Sequence, residues 1–320
     1  MTIDFGLEEE VISSRVYNHY LTSYRRVMEE LYGANGSPLG NVKDGVLSTP
    51  GYKNLNGAPR PQHLYAKALS NAWSTEVALN LATLLEDPEL VATANHWATI
   101  QAYYAVSHLL RAFVATRDGR SPEPRHVWLL EQIGDTLASR HLLPAPWNVI
   151  CSGPEAAYQY PNLPSHVDVP AFSPMERPRP EHAWSSVCMA LRTTRERRIR
   201  DRVGDWKKGQ RKKRITAEER KRVGEKTRPT TFFDFLYRLR IRSNYSDADA
   251  FAAGILQPSE AVQLNESLRY IVSSTMFTLE LLIDRQLPAG SVRLEAERFI
   301  GLHPKRVTIP VRERLTQFSA

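Results

Sequence analysis

Thr231-Phe-Phe-Asp-Phe-Leu-Tyr-Arg-Leu-Arg-Ile-Arg-Ser-Asn-Tyr-Ser-Asp-Ala-Asp-Ala-Phe251 begins as an amphipathic helix and ends as a dense polar cluster. Phe232, Phe235, Leu236 and Leu239 fall at i, i+3, i+4 and i+7, one face of an α-helix. Arg238, Arg242 and Tyr245 share a second face at i, i+4 and i+7, and Arg240, Asn244 and Asp247 repeat that spacing on a neighbouring one. Guanidinium forks bind phosphate in a planar, bidentate way. The cluster therefore predicts a phosphate or RNA-backbone site. A solvated arginine face paired with Asp247 and Asp249 is the plainer reading of the same spacing.

Just upstream, residues 203–230 hold the run Lys207-Lys208-Gly-Gln-Arg211-Lys212-Lys213-Arg214 and then Arg220-Lys-Arg222. Apolar residues are few here, so a mobile stretch or a solvated helix is expected, serving as a linker or as an RNA-contacting arm with Trp206 placed to stack on a base. From Arg192 to Arg228 there are 17 Lys and Arg against 6 Asp and Glu, a local charge of +11, while the rest of the chain carries −4. One segment thus makes the protein basic, and such a block attracts polyphosphates without regard to sequence. Before it, nine prolines between 144 and 182 exclude long helices. Trp147, Tyr158, Tyr160 and Phe172 suggest that this extended segment lies against the body of the protein. Trp184–Arg202 reads as helix.

Helix signals dominate from His63 to about Leu143. Leu64–Leu85 is rich in Ala and Leu and stops at Asp87-Pro88, and Pro88 suits the first turn of the next helix. Glu89–Thr116 is the longest such pattern, lined by Trp97, Ile100, Tyr104, Leu109 and Phe113, and Asp118-Gly119 closes it. A third helix over 124–139 turns Trp128, Leu129 and Ile133 inward. At the start of the chain, residues 8–32 read as a helix with Val16, Tyr20, Val27 and Leu31 on its apolar face and Gly33 as its stop. Ten Gly and Pro residues predict a loop over 33–62. Downstream of the opening stretch, Gln257-Pro258-Ser259-Glu260 opens a helix to about Arg285. The tail 287–320 holds a short helix at 292–300 and a strand at 306–311.

Helices alternating with short turns predict an all-α, up-and-down bundle. The chain is 320 residues long and 42% hydrophobic, enough to bury a core. There is no apolar run long enough to span a membrane and no signal-peptide pattern at the N-terminus. Two cysteines, Cys151 and Cys188, make no disulfide framework, so a cytoplasmic setting is expected. The nine histidines include no His-Glu-x-x-His pairing, and no Gly-rich phosphate loop opens a helix. No metal or cofactor is expected.

Three pieces together resemble the HEPN domain family (higher eukaryotes and prokaryotes nucleotide-binding), a helical up-and-down bundle. They are Asn95-His-Trp-Ala-Thr-Ile-Gln-Ala-Tyr103-Tyr104-Ala105-Val-Ser-His108-Leu-Leu-Arg111-Ala-Phe113, the segment Tyr237–Asp249, and the closing helix 258–285. The resemblance implies a bundle split into 63–143 and 231–286, a Pro-rich then basic insertion at 144–230, an added arm at 1–62 and a tail at 287–320. It also implies an RNA-directed homodimer, a metal-independent endoribonuclease of a toxin–antitoxin or antiviral defence system, in which an Arg and a His four to six residues apart promote attack of the RNA 2′-hydroxyl on the adjacent phosphate. Arg238, Arg240 and Asn244 take the catalytic positions. Arg242, Tyr245, Asp247 and the basic run 207–214 take the RNA. Position 244 is Asn where the family has His, and no His lies between 183 and 302. His108 and His126 are the histidines placed to substitute. The alternative implied by the missing His is a non-catalytic module that binds a nucleotide, nucleic acid or a partner protein encoded nearby.

Overall fold

The structure is a computed structural model that describes residues 5–33, 37–81, 84, 87–138, 141–154, 157–165, 167, 182–206, 216–243 and 256–318. The helices are α1 (Phe5–Tyr32), α2 (Pro38–Ser48), α3 (Pro50–Lys53), α4 (Ala66–Leu81), α5 (Pro88–Asp118), α6 (His126–Ile133), α7 (Ala183–Trp206), α8 (Ala217–Lys226), α9 (Phe232–Ile241), α10 (Pro258–Gln286), α11 (Ser291–Leu302) and α12 (Ile309–Gln317). Among the described residues there are two isolated β-bridges, Cys151 with Thr230 and Ser152 with Gln159, and no strand. The chain is all-α. No helix among the described residues is long and apolar enough to cross a membrane.

Local chemistry sets the helix ends. The Asp87 carboxylate accepts from the backbone N–H groups of Glu89 and Leu90 at 2.9 and 3.3 Å. Pro88 occupies the first turn of α5, where a missing N–H costs nothing, and Gly119 ends the helix at φ +67°. Thr231 and Asp234 form a reciprocal capping box at the start of α9, and Gln257 and Glu260 form one at the start of α10.

α5 and α10 pack along each other at the centre, with α4 against α5 and α1 against α10. A buried amide pair sets their register. Asn95 donates to the Ala261 carbonyl at 2.8 Å, and Asn265 donates to Asn95 Oδ1 at 2.9 Å. α9 packs on α5 and α7 through the predicted stripe of Phe232, Phe235, Leu236 and Leu239, all buried. Tyr20 and Tyr24 of α1 pack their rings on Phe235. Tyr17, Tyr24 and Val27 of α1 and Val187 and Leu191 of α7 belong to the same core as α5 and α10. The N-terminal helix and α7 are therefore parts of the body and not appendages to it.

Several expectations are corrected. The loop predicted over 33–62 contains α2 and α3. Their prolines, Pro38 and Pro50, stand in first turns, where proline starts a helix instead of breaking one. Val42 and Val46 then bury one face of α2, which packs against α10. The strand predicted over 306–311 is a short 3-10 turn followed by α12, with Pro310 in its first turn. Trp97, one of the residues that line α5 in the sequence, is 58% exposed and lies on its outer face. The helix predicted at 124–139 is α-helical over His126–Ile133 and continues as a π turn over Gly134–Ala138. The prediction that the 144–182 segment lies on the body holds where it is described: Trp147 is buried, and Tyr158 and Tyr160 pack against the core. Phe172 lies outside the described residues. α8 is the solvated helix expected within 203–230, its residues mostly exposed.

Arg195 belongs to the basic block but is only 1% exposed. Its Nε donates to the Gly153 carbonyl at 2.8 Å, Nη1 to those of Cys151 and Arg228 at 3.3 and 2.9 Å, and Nη2 to those of Gly224 and Thr227 at 2.8 and 3.1 Å. One guanidinium thus ties the extended segment and the end of α8 to α7. Arg195→Met should cost about 2–3 kcal/mol, because some of these carbonyls lose their donor inside the protein. Equilibrium urea unfolding measures it, and a loss below ~1 kcal/mol would show that water replaces the guanidinium.

Candidate functional site

α9 carries its arginines on two sides. Arg240 turns toward α5 and α6. Its Nη2 donates to the Tyr104 hydroxyl at 3.1 Å, and the guanidinium carbon lies 5.4 Å from the Tyr104 ring centre and 5.9 Å from that of Tyr237. Among the described residues that is the one hydrogen bond of Arg240.

His126, the first residue of α6, sits in the same cluster. Its Nδ1 lies 2.8 Å from the Tyr103 hydroxyl. Its ring centre lies 5.7 Å from that of Tyr104 and 6.0 Å from that of Tyr237. Arg111 places it there: its two Nη groups donate to the carbonyls of Glu123 and Pro124 at 2.9 and 2.5 Å, anchoring the turn that leads into α6. His108 stands one turn beyond Tyr104 on α5, their rings 6.3 Å apart.

The electrostatics suit proton transfer. Burial, and then the charges of Arg240, Arg111 and His108, hold the His126 pKa below the ordinary histidine value. Burial and Arg111 lower His108 in the same sense. Burial raises the Tyr103 phenol, so it stays protonated, and it also engages Ser107. In the tautomer whose Nδ1–H donates to the Tyr103 oxygen, His126 Nε2 carries the lone pair of a base. A neutral imidazole and a guanidinium thus share one cluster of aromatic rings.

Arg238 turns the other way, toward α7. Its Nη1 donates to the hydroxyls of Thr193 and Thr194 at 2.8 and 3.3 Å, and its guanidinium carbon lies 5.9 Å from the Tyr17 ring centre. Arg238 and Arg242 line one cleft, as their i, i+4 spacing predicts, together with Arg197, Arg198, Arg202 and Arg228. The proposed catalytic pair Arg238 and Arg240 therefore does not converge. Asn244, Tyr245, Asp247 and Asp249 lie outside the described residues, as do Lys207, Lys208, Arg211, Lys212, Lys213 and Arg214.

The floor of the cleft escaped the sequence reading. Arg228 grips Asp234 with two bonds of 2.9 and 2.8 Å, and Arg198 lies 3.6 Å from the same carboxylate. Thr231-x-x-Asp234, a capping-box spacing, was the available signal for Asp234. Nothing local marked its partners, which come from α7 and from the turn before α9.

Comparison with known proteins gave no match: no family model, curated protein or solved structure resembles this chain closely enough to report.

Proposed function

We propose that this chain is an RNA-directed bundle protein of the HEPN type, acting as a metal-independent endoribonuclease with Arg240 and His126 as its working pair. The single observation behind the reading is that His126 and Arg240 meet around Tyr104 and Tyr237. The sequence motif has no histidine of its own, and α6 supplies one from elsewhere in the chain. His126 Nε2 takes the proton of an RNA 2′-hydroxyl as that oxygen attacks the adjacent phosphorus. Arg240 stabilises the charge that builds on the phosphorane. The 5′-oxygen leaves, and the product carries a 2′,3′-cyclic phosphate. Homodimer formation belongs to the same reading. Trp97, exposed seven residues before Tyr104 on one face of α5, is the contact that this reading assigns to the dimer.

The test is incubation of the purified protein with labelled single-stranded and transfer RNA in EDTA. Cleavage leaving 2′,3′-cyclic phosphate ends is expected, reduced by at least ~10²-fold in Arg240→Ala. Unchanged cleavage by a folded Arg240→Ala protein would sink the assignment.

A further inference from the structure

We propose that the arginine cleft between α6, α7 and α9 binds a phosphate ester carried on a flat ring, the chemistry of a single nucleotide, free or at the end of an RNA chain. This goes beyond the cleavage reading and needs neither His126 nor Arg240. Thr194, Arg197, Arg198, Asp201 and Arg202 of the cleft come from α7, which lies outside the stretches that resemble the HEPN family.

Charge carries the first part of the argument. Six arginines, Arg197, Arg198, Arg202, Arg228, Arg238 and Arg242, line the cleft with three carboxylates, Glu131, Asp201 and Asp234, leaving a net charge of +3. Two of the carboxylates are paired with arginines of the cleft itself, Asp234 with Arg228 and Arg198, and Asp201 with Arg197 at 3.0 Å. Arg202 meets the Lys226 carbonyl at 3.3 Å, and Arg238 meets the threonine hydroxyls and a tyrosine ring. Neither has a carboxylate partner among the described residues. Like charges held this close repel, and burial with the neighbouring arginines lowers the Arg198 pKa to about 10. A dianionic phosphate relieves that repulsion and fits the fork of a guanidinium.

Shape carries the second part. Val127, Leu130, Tyr237 and Ile241 form an apolar wall on the α6 and α9 side. An arginine cleft for bare phosphate has no use for such a wall, whereas the ring of a base does. The cavity is about 240 Å³. It has room for a phosphate with part of one ring beside it.

Calorimetric titration with AMP tests the site, with adenosine and inorganic phosphate as the two halves of the ligand. AMP should bind at least ~10-fold tighter than either half, and more weakly as salt rises. Arg238→Gln keeps a hydrogen-bonding group beside the threonines and should lower AMP affinity by about 10-fold. Arg202→Gln, on an exposed position, should lower it in the same direction. AMP binding no tighter than phosphate, or unchanged in both variants, would overturn the proposal. Oligoribonucleotides with a 5′-phosphate or a 5′-hydroxyl end separate the two sources: tighter binding of the phosphorylated end than of AMP assigns an RNA terminus, and preference for AMP assigns a free nucleotide. His126→Ala should lose RNA cleavage and retain AMP binding, so that failure of one reading is not failure of the other.

Discussion

His126→Ala should lower RNA cleavage by about 10²–10⁴-fold, the range in which a positioned general base contributes. His126→Asn should be as inactive, because an amide can hold the Tyr103 hydroxyl but cannot take a proton. The pH profile distinguishes this role from a structural one. Burial and the nearby arginines hold the His126 pKa below the ordinary value of about 6.5. The neutral, basic form therefore dominates at pH 7. kcat/KM should be flat through neutral pH and fall only as the pH drops below that lowered pKa. Tyr103→Phe should cost less than His126→Ala, since the hydroxyl orients the ring and does not touch the reacting atoms. A profile with no acid limb, or full activity in a folded His126→Ala protein, would remove His126 from the mechanism.

Periodic and capping signals in the sequence read through to the structure. The apolar stripe of α9 is buried as spaced, and α5 starts and stops at Asp87-Pro88 and Gly119. Errors arose where a residue type has two local meanings. Pro38 and Pro50 count as breakers in a composition of Gly and Pro, yet they start helices. The β-branched Val307, Thr308, Ile309 and Val311 suggest a strand over 306–311, yet Ile309 begins α12, which packs through Val311. The working site is harder to read for a different reason. Arg240 lies 136 positions from Tyr104, and His126 meets Tyr104 through a ring contact that no local spacing encodes. Counting charge also misled at α7: Arg195 and Arg198 sit in the basic block, but their partners are buried carbonyls and Asp234.

The largest stability effect should come from a network far from α9. Arg314 of α12 is 1% exposed and lies between two buried carboxylates. It grips Glu76 of α4 with bonds of 2.6 and 2.7 Å and Glu280 of α10 with bonds of 2.9 and 3.0 Å. Trp73 donates to Glu280 at 2.8 Å, and the Ser273 hydroxyl accepts from Arg314 at 3.1 Å. α12 is thereby locked onto the central helices. Arg314→Ala removes one cation and leaves two anions facing each other out of water, which should cost about 3–5 kcal/mol. Glu76→Gln in the same background should recover part of the loss, because one of the two stranded charges is gone. Restoring Lys instead of Arg should recover little, since a single ammonium cannot fork to two carboxylates at once. Denaturant midpoints for the four proteins measure these differences. Arg314→Ala within ~1 kcal/mol of the parent, or no recovery on adding Glu76→Gln, would mean that water enters the network and solvates the carboxylates. Since a buried pair is often no better than a well-packed apolar substitute, replacing all three residues together should cost less than removing the arginine alone. The network then acts chiefly to specify where α12 docks.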